Sequence, residues 1–128
     1  MFKTPAHTIT SDLLNEIMDV LPDAVIWTVP VMEDDRITDF EIKYINETGA
    51  NYSGKEPILM VNKRIIADGL PSKAICRQIF EQNLEAYSTP VPLTYTYYNP
   101  YIGKEVEVLR RRLKDGVLTI TRGMKSPG

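Results

Sequence analysis

Two β-rich runs, at 24–29 and 37–45, open the folded part of this chain, and three more, at 91–99, 103–114 and 116–122, close it. All the interior helical signal falls between the two groups. Residues 37–45 (ITDFEIKYI) alternate strictly: Phe40, Ile42 and Tyr44 point one way, and Asp39, Glu41 and Lys43 the other. Such alternation marks a strand with one buried and one wet face, as in an antiparallel sheet. The polar EDDR at 33–36 makes a hairpin of the first two strands. Asp115-Gly116 is a strong hairpin signal for the last two. One five-stranded antiparallel sheet accommodates all five runs if the helical middle crosses over one face. The expected class is therefore α+β, with the core between sheet and helices.

The middle itself is uneven. Residues 46–71 hold short helical patches punctuated by Asp68, Gly69 and Pro71. One longer helix is predicted at 72–87, with Cys76, Ile79, Phe80, Leu84 and Tyr87 on its inner stripe, and Asn83 on the same stripe. A further helix is predicted ahead of the first strand, over 11–22. Its apolar residues Leu13, Leu14, Ile17, Met18, Val20 and Leu21 recur at helical spacing, with Ser11 as N-cap, Asp12 at the positive end of the dipole and Pro22 as terminator. A helix this short is marginal alone, so its stripe must be buried against something. We read residues 1–10 as a loose arm, 23–125 as the domain and 126–128 as a tail.

With 128 residues, of which 43% are hydrophobic, one packed domain is expected. The charge balance of 15 basic and 17 acidic residues gives no pull toward nucleic acid or an anionic membrane. A lone cysteine excludes an internal disulfide and fits a cytoplasmic setting. No apolar run approaches the ~20 residues that span a bilayer, and MFKTPAHTIT lacks the apolar core of a signal peptide. The expectation is a soluble, cytoplasmic chain, whole or part of a longer protein.

Catalytic and metal chemistry find little to work with. The only histidine is His7, in the arm, and Cys76 is far from it in sequence. No glycine-rich phosphate cradle is present. The carboxylates of MEDDR and EVEV read as a turn and a solvated strand face. The chain is not expected to be an enzyme.

Four stretches in order carry a family resemblance. They are LLNEIMDVLPDAVIWTV, FEIKYINETGANYSGKEP, AICRQIFEQNLEAYSTP and KEVEVLRRRLKDGVLTITRGM, together spanning roughly residues 11–125. This succession resembles the PAS domain: a lead-in helix through LPD into the first strand, a second strand ending in Asn, small helices, a longer helix and a final hairpin. The resemblance implies a sensory or interaction module of a signalling protein, such as one of histidine-kinase type, that dimerises and can bind a small molecule. Asn46 then caps the short helix after the second strand, and Gly54 closes it. Light-sensing relatives carry a flavin-binding Cys in the short-helix region, but here NKRIIAD (62–68) holds that place without one. Cys76 falls on the apolar stripe of the longer helix and reads as an inert buried thiol. Haem-binding relatives use a His on the longer helix, which this chain lacks. No cofactor is expected. The sequence also departs from the family's DIT-like end, with Gly123 and Lys125 where the Asp and Thr would stand.

A ligand pocket would draw on the apolar-aromatic set. Trp27, Tyr44, Tyr95 and Tyr97 are assigned to inward strand faces, with Phe80 and Asn83 opposite on the longer helix. With Asp115-Gly116 as a two-residue turn, Leu113 opposes Leu118 and Arg111 opposes Ile120. Arg111 then shares the apolar face of Leu109, Leu113, Leu118 and Ile120. A buried guanidinium needs an anion, such as a ligand carboxylate; otherwise it snorkels or pairs with an acidic neighbour. A bulged turn would change what opposes it. Leu13, Leu14, Ile17, Met18 and Leu21 are the candidate dimer-interface residues, on the outer sheet face or a partner's helix. Two other readings stand beside the sensor: a small α+β isomerase or dehydratase with an aromatic pocket, and a ligand-free interaction scaffold.

Overall fold

The computed structural model describes residues 11–52, 56–69, 73–99 and 102–123. Its elements are α1 (Ser11–Asp19), β1 (Ala24–Glu33), β2 (Arg36–Ile45), α2 (Glu47–Tyr52), α3 (Pro57–Met60), α4 (Ile65–Asp68), α5 (Lys73–Ser88), β3 (Leu93–Asn99), β4 (Lys104–Leu113) and β5 (Gly116–Gly123). The five strands form one antiparallel sheet in the order β2-β1-β5-β4-β3. β2 and β3 are thus the two edges, and the helical middle carries the chain from one edge to the other across a face. This is the α+β arrangement expected from the distribution of β-rich runs.

The first hairpin turns at Asp34 and Asp35, both with positive φ (51° and 63°), which matches the twist of the strands it joins. The last hairpin turns one residue earlier than the Asp-Gly signal implies. Leu113 pairs with Gly116, so Lys114 and Asp115 form the turn, and Lys114 takes the positive φ. Gly116 has another reason to be glycine. A Cβ there would lie 2.3 Å from the Thr28 carbonyl oxygen and 2.7 Å from Trp27 Nε1.

The open edge of β2 does not stay bare. Ile42 donates its N–H to the Lys63 carbonyl and accepts from the Asn62 N–H, so the α3–α4 linker lies along it. Asp39, expected on the wet face, is buried there. Its Oδ1 accepts from the N–H groups of Phe40 and Ile66, both at 2.8 Å, and its Oδ2 from Ala67 at 2.9 Å. The carboxylate satisfies the first N–H groups of α4 from a neighbouring strand, which overrides simple alternation.

The core lies between the inner sheet face and α5. Phe40, Ile42 and Ile45 of β2, Val117 of β5, Met60 and Ile65 of the short helices, and Cys76, Phe80 and Ala86 of α5 form it. Phe40 and Phe80 meet edge to face at 5.8 Å. Arg112 stacks 4.0 Å over Tyr87 and donates to the Tyr87 carbonyl at 3.2 Å, placing a cation at the negative end of α5.

Asn46 is the joint of the domain. Its Oδ1 accepts from the N–H groups of Val25 (2.9 Å) and Gly49 (2.8 Å), and its Nδ2 donates to the carbonyls of Met18 (2.8 Å) and Asp23 (3.0 Å). The side chain caps α2 as expected and also ties α1 to β1. α1 stops at Asp19 rather than running to Pro22: the chain turns there, with the Leu21 N–H on the Met18 carbonyl, just ahead of a proline that disfavours helix in the residue before it. The Asp19 carboxylate accepts from the Glu47 N–H and the Leu21 carbonyl from Thr48 Oγ1. The arm, the tail, the Ser11 cap and the role of Gly54 lie outside the described residues.

Candidate functional site

The register of β4 decides what lines the inner face. Val106 and Val108 are fully buried and Glu105 and Glu107 exposed, so the inner face continues to Arg110. Arg110 is 3% exposed, whereas Arg111 is exposed on the other side. The expectation for Arg111 is therefore corrected. Leu109, Arg111, Leu113, Leu118 and Ile120 do share a face, but it is the outer one, and the buried guanidinium belongs to the preceding residue.

Arg110 lies beneath α5, paired across the sheet with Leu93 of β3 and Thr119 of β5. Its Nη1 donates to Thr119 Oγ1 at 2.8 Å and to Asn83 Oδ1 at 3.2 Å, and its Nε donates to Gln82 Oε1 at 3.1 Å. All three acceptors are neutral. Among the described residues no carboxylate forms an ion pair with Arg110, and its Nη2 makes no hydrogen bond. Burial lowers its pKa to about 10, with Tyr97 and Tyr95 opposing that change. It thus stays protonated at neutral pH, a full charge inside the helix–sheet layer.

Asn83 is 1% exposed. Because a guanidinium only donates, the amide oxygen must face Arg110, and this fixes the amide's orientation. Its Nδ2 then points elsewhere and has no partner among the described residues. Thr28 Oγ1, one row along the inner face, is also buried without one. Unsatisfied buried donors are uncommon in folded proteins and call for a reason.

Tyr95 and Tyr97 lie on the inner face of β3, opposite Val108 and Val106. Burial raises the pKa of Tyr97, partly offset by Arg110. The Tyr95 hydroxyl donates to Glu85 Oε1 at 2.5 Å, and burial together with this bond pushes its pKa up to about 12. Phe80 belongs to the core and packs edge to face on Phe40. The structure therefore gathers Asn83, Tyr95 and Tyr97 around Arg110.

Trp27 and Tyr44 go elsewhere, correcting their inward assignment. Trp27 pairs with Leu118 on the outer face, and its Nε1 donates to the Leu113 carbonyl at 3.3 Å. A register shift between Trp27 and Thr28 lets Tyr44 oppose Trp27 while Ile42 opposes Thr28, which turns Tyr44 off the core face. Tyr44 instead lines an open cleft of ≈ 310 Å³ with Asp19, Ile45, Pro57, Ile58 and Val61. Burial, then the nearby Asp19, raises its pKa.

The α1 stripe is not covered. Leu13, Leu14, Ile17 and Leu21 are 36–43% exposed and Val20 is 80% exposed, while Met18 is half-buried. Among the described residues no helix is long and apolar enough to cross a membrane, and no His, Cys, Asp and Glu group could hold a metal ion.

Sequence comparison returns neither a matching family model nor a matching curated relative. Solved structures do match. A domain of an HTR-like protein from Haloarcula marismortui superposes with a TM-score of 0.63 at 14% identity, covering 82% of this chain and 100% of that domain. A C-terminal domain from Streptococcus mutans superposes with a TM-score of 0.60 at 17% identity, covering 97% of this chain and 92% of that one. At these identities the likeness concerns the fold alone.

Proposed function

We propose that this chain is a PAS-type regulatory domain of a cytoplasmic signalling protein, of two-component histidine-kinase type, that binds a small molecule beneath α5 and dimerises through α1. The reading is consistent with the fold shared with a domain of an HTR-like protein. The observation that carries it is the buried Arg110 cluster. A charge held only by neutral groups, beside an Asn83 Nδ2 without a partner among the described residues, stabilises the empty domain poorly and suits a polar ligand well. The uncovered stripe of α1 supports the second half. It is joined to β1 through Asn46, which ties the Met18 carbonyl to the Val25 N–H.

No catalytic role is part of this proposal. Among the described residues the buried carboxylate is Asp39, and three backbone N–H groups engage it. Native mass spectrometry of the purified chain tests the proposal. A dimer carrying extra mass per subunit that is lost on denaturation is the expected result. A monomer of bare mass at micromolar concentration would oppose both halves.

A further inference from the structure

We propose that Arg110, Asn83, Thr119 and Gln82 form a receptor for the carboxylate of a small organic acid, held between α5 and the inner face of β4 and β5. The inference rests on the ligand-sensing reading above and names the class of ligand. A guanidinium has five N–H donors. Protein acceptors among the described residues take those of Nη1 and Nε and leave Nη2. The second donor is Asn83 Nδ2, on the same amide whose Oδ1 is 3.2 Å from Nη1. A carboxylate supplies an acceptor for each of these donors and the counter-charge that the protein groups around Arg110 do not. Charge selects the same class. One buried cation is neutralised by one carboxylate, whereas a phosphate group, at about −1.5 to −2 near pH 7, would leave surplus negative charge in the interior. Tyr95 and Tyr97 beside Arg110 favour an apolar or aromatic body behind the carboxylate.

The test is the melting temperature of the full chain in sodium acetate, pyruvate, succinate and benzoate, each against sodium chloride and sodium phosphate at equal ionic strength. At least one carboxylate should raise Tm by several degrees with saturation, while phosphate gives no more than chloride. Arg110→Met should abolish the response, and Asn83→Leu should raise the half-saturating concentration roughly tenfold or more. No shift with any carboxylate, an equal shift with phosphate, or a shift that survives Arg110→Met would overturn the assignment. If Arg110→Met does not fold, an unchanged response in Asn83→Leu overturns it equally. A copurifying molecule without a carboxylate would overturn the ligand class while leaving the sensor reading standing.

Discussion

Replacing Asn46 by Ala should be among the most damaging single changes in this domain. The side chain is fully buried and makes four hydrogen bonds to backbone groups of β1, α2, α1 and the segment that joins α1 to β1. Asn46→Ala strands the N–H groups of Val25 and Gly49 where water does not reach. An unsatisfied buried group costs roughly 1–3 kcal/mol. The carbonyls of Met18 and Asp23 are only part-buried at these bonds and can regain water, so they add less. The sum is about 3–5 kcal/mol, or a fall in Tm of roughly 10–20 °C for a domain of this size. Urea unfolding followed by circular dichroism measures it. Thr48→Val is the control, since it removes one exposed bond, to the Leu21 carbonyl, and should cost under ~1 kcal/mol. If Asn46→Ala costs no more than Thr48→Val, the joint does not hold the fold as argued. Amide exchange over 11–19 should also quicken in Asn46→Ala, because the bond to Met18 is lost.

Other predictions follow from the same contacts. Gly116→Ala should destabilise by about 1–3 kcal/mol, because its methyl meets the Thr28 carbonyl and the Trp27 ring; near-neutral thermal unfolding would show that this packing is loose. Arg110→Met removes a buried charge but strands the buried Asn83 Oδ1 and Thr119 Oγ1, so the two effects partly offset and a net loss of about 1–3 kcal/mol is expected; a loss above ~5 kcal/mol would make Arg110 a structural keystone instead. Tyr95 should ionise near pH 12 rather than 10 in an ultraviolet titration. Because the folded pKa is raised, its contribution to stability is present below pH ~10 and lost as pH climbs toward 12, and Tyr95→Phe should remove that late step. On the proposed dimerisation through α1, the parent should run as a dimer and Ile17→Glu as a monomer in size-exclusion chromatography with light scattering; equal masses for the two would count against α1 as the interface.

The sequence made the sheet legible where pattern and burial coincide. Alternation in β2 and β3, and the distribution of strands around a helical middle, gave the class and placed Tyr95 and Tyr97 on the inner face. The stripe of α5 similarly placed Asn83. The exchange of Arg110 for Arg111 had a readable remedy. Val106 and Val108 alternate with Glu105 and Glu107, and two more steps lead to Arg110. Following the leucines at 109 and 113 led to the opposite face, because the outer face of this sheet is itself half-covered rather than wet. Trp27 was less accessible. AVIWTV is apolar throughout, so period two has nothing to report. Tyr44 is displaced by a register shift, and Asp39 is claimed by N–H groups from a helix 27 residues on, at Ile66. Such long-range contacts leave no local signature.

The most direct test of the central claim is a crystal structure of the chain as purified, at a resolution that separates ligand from solvent around Arg110. The account predicts a buried guanidinium with a small planar group against Nη2 and Asn83 Nδ2, and no protein carboxylate paired to it. An Asp or Glu side chain in contact with the guanidinium, or Arg110 turned out to solvent, would contradict it.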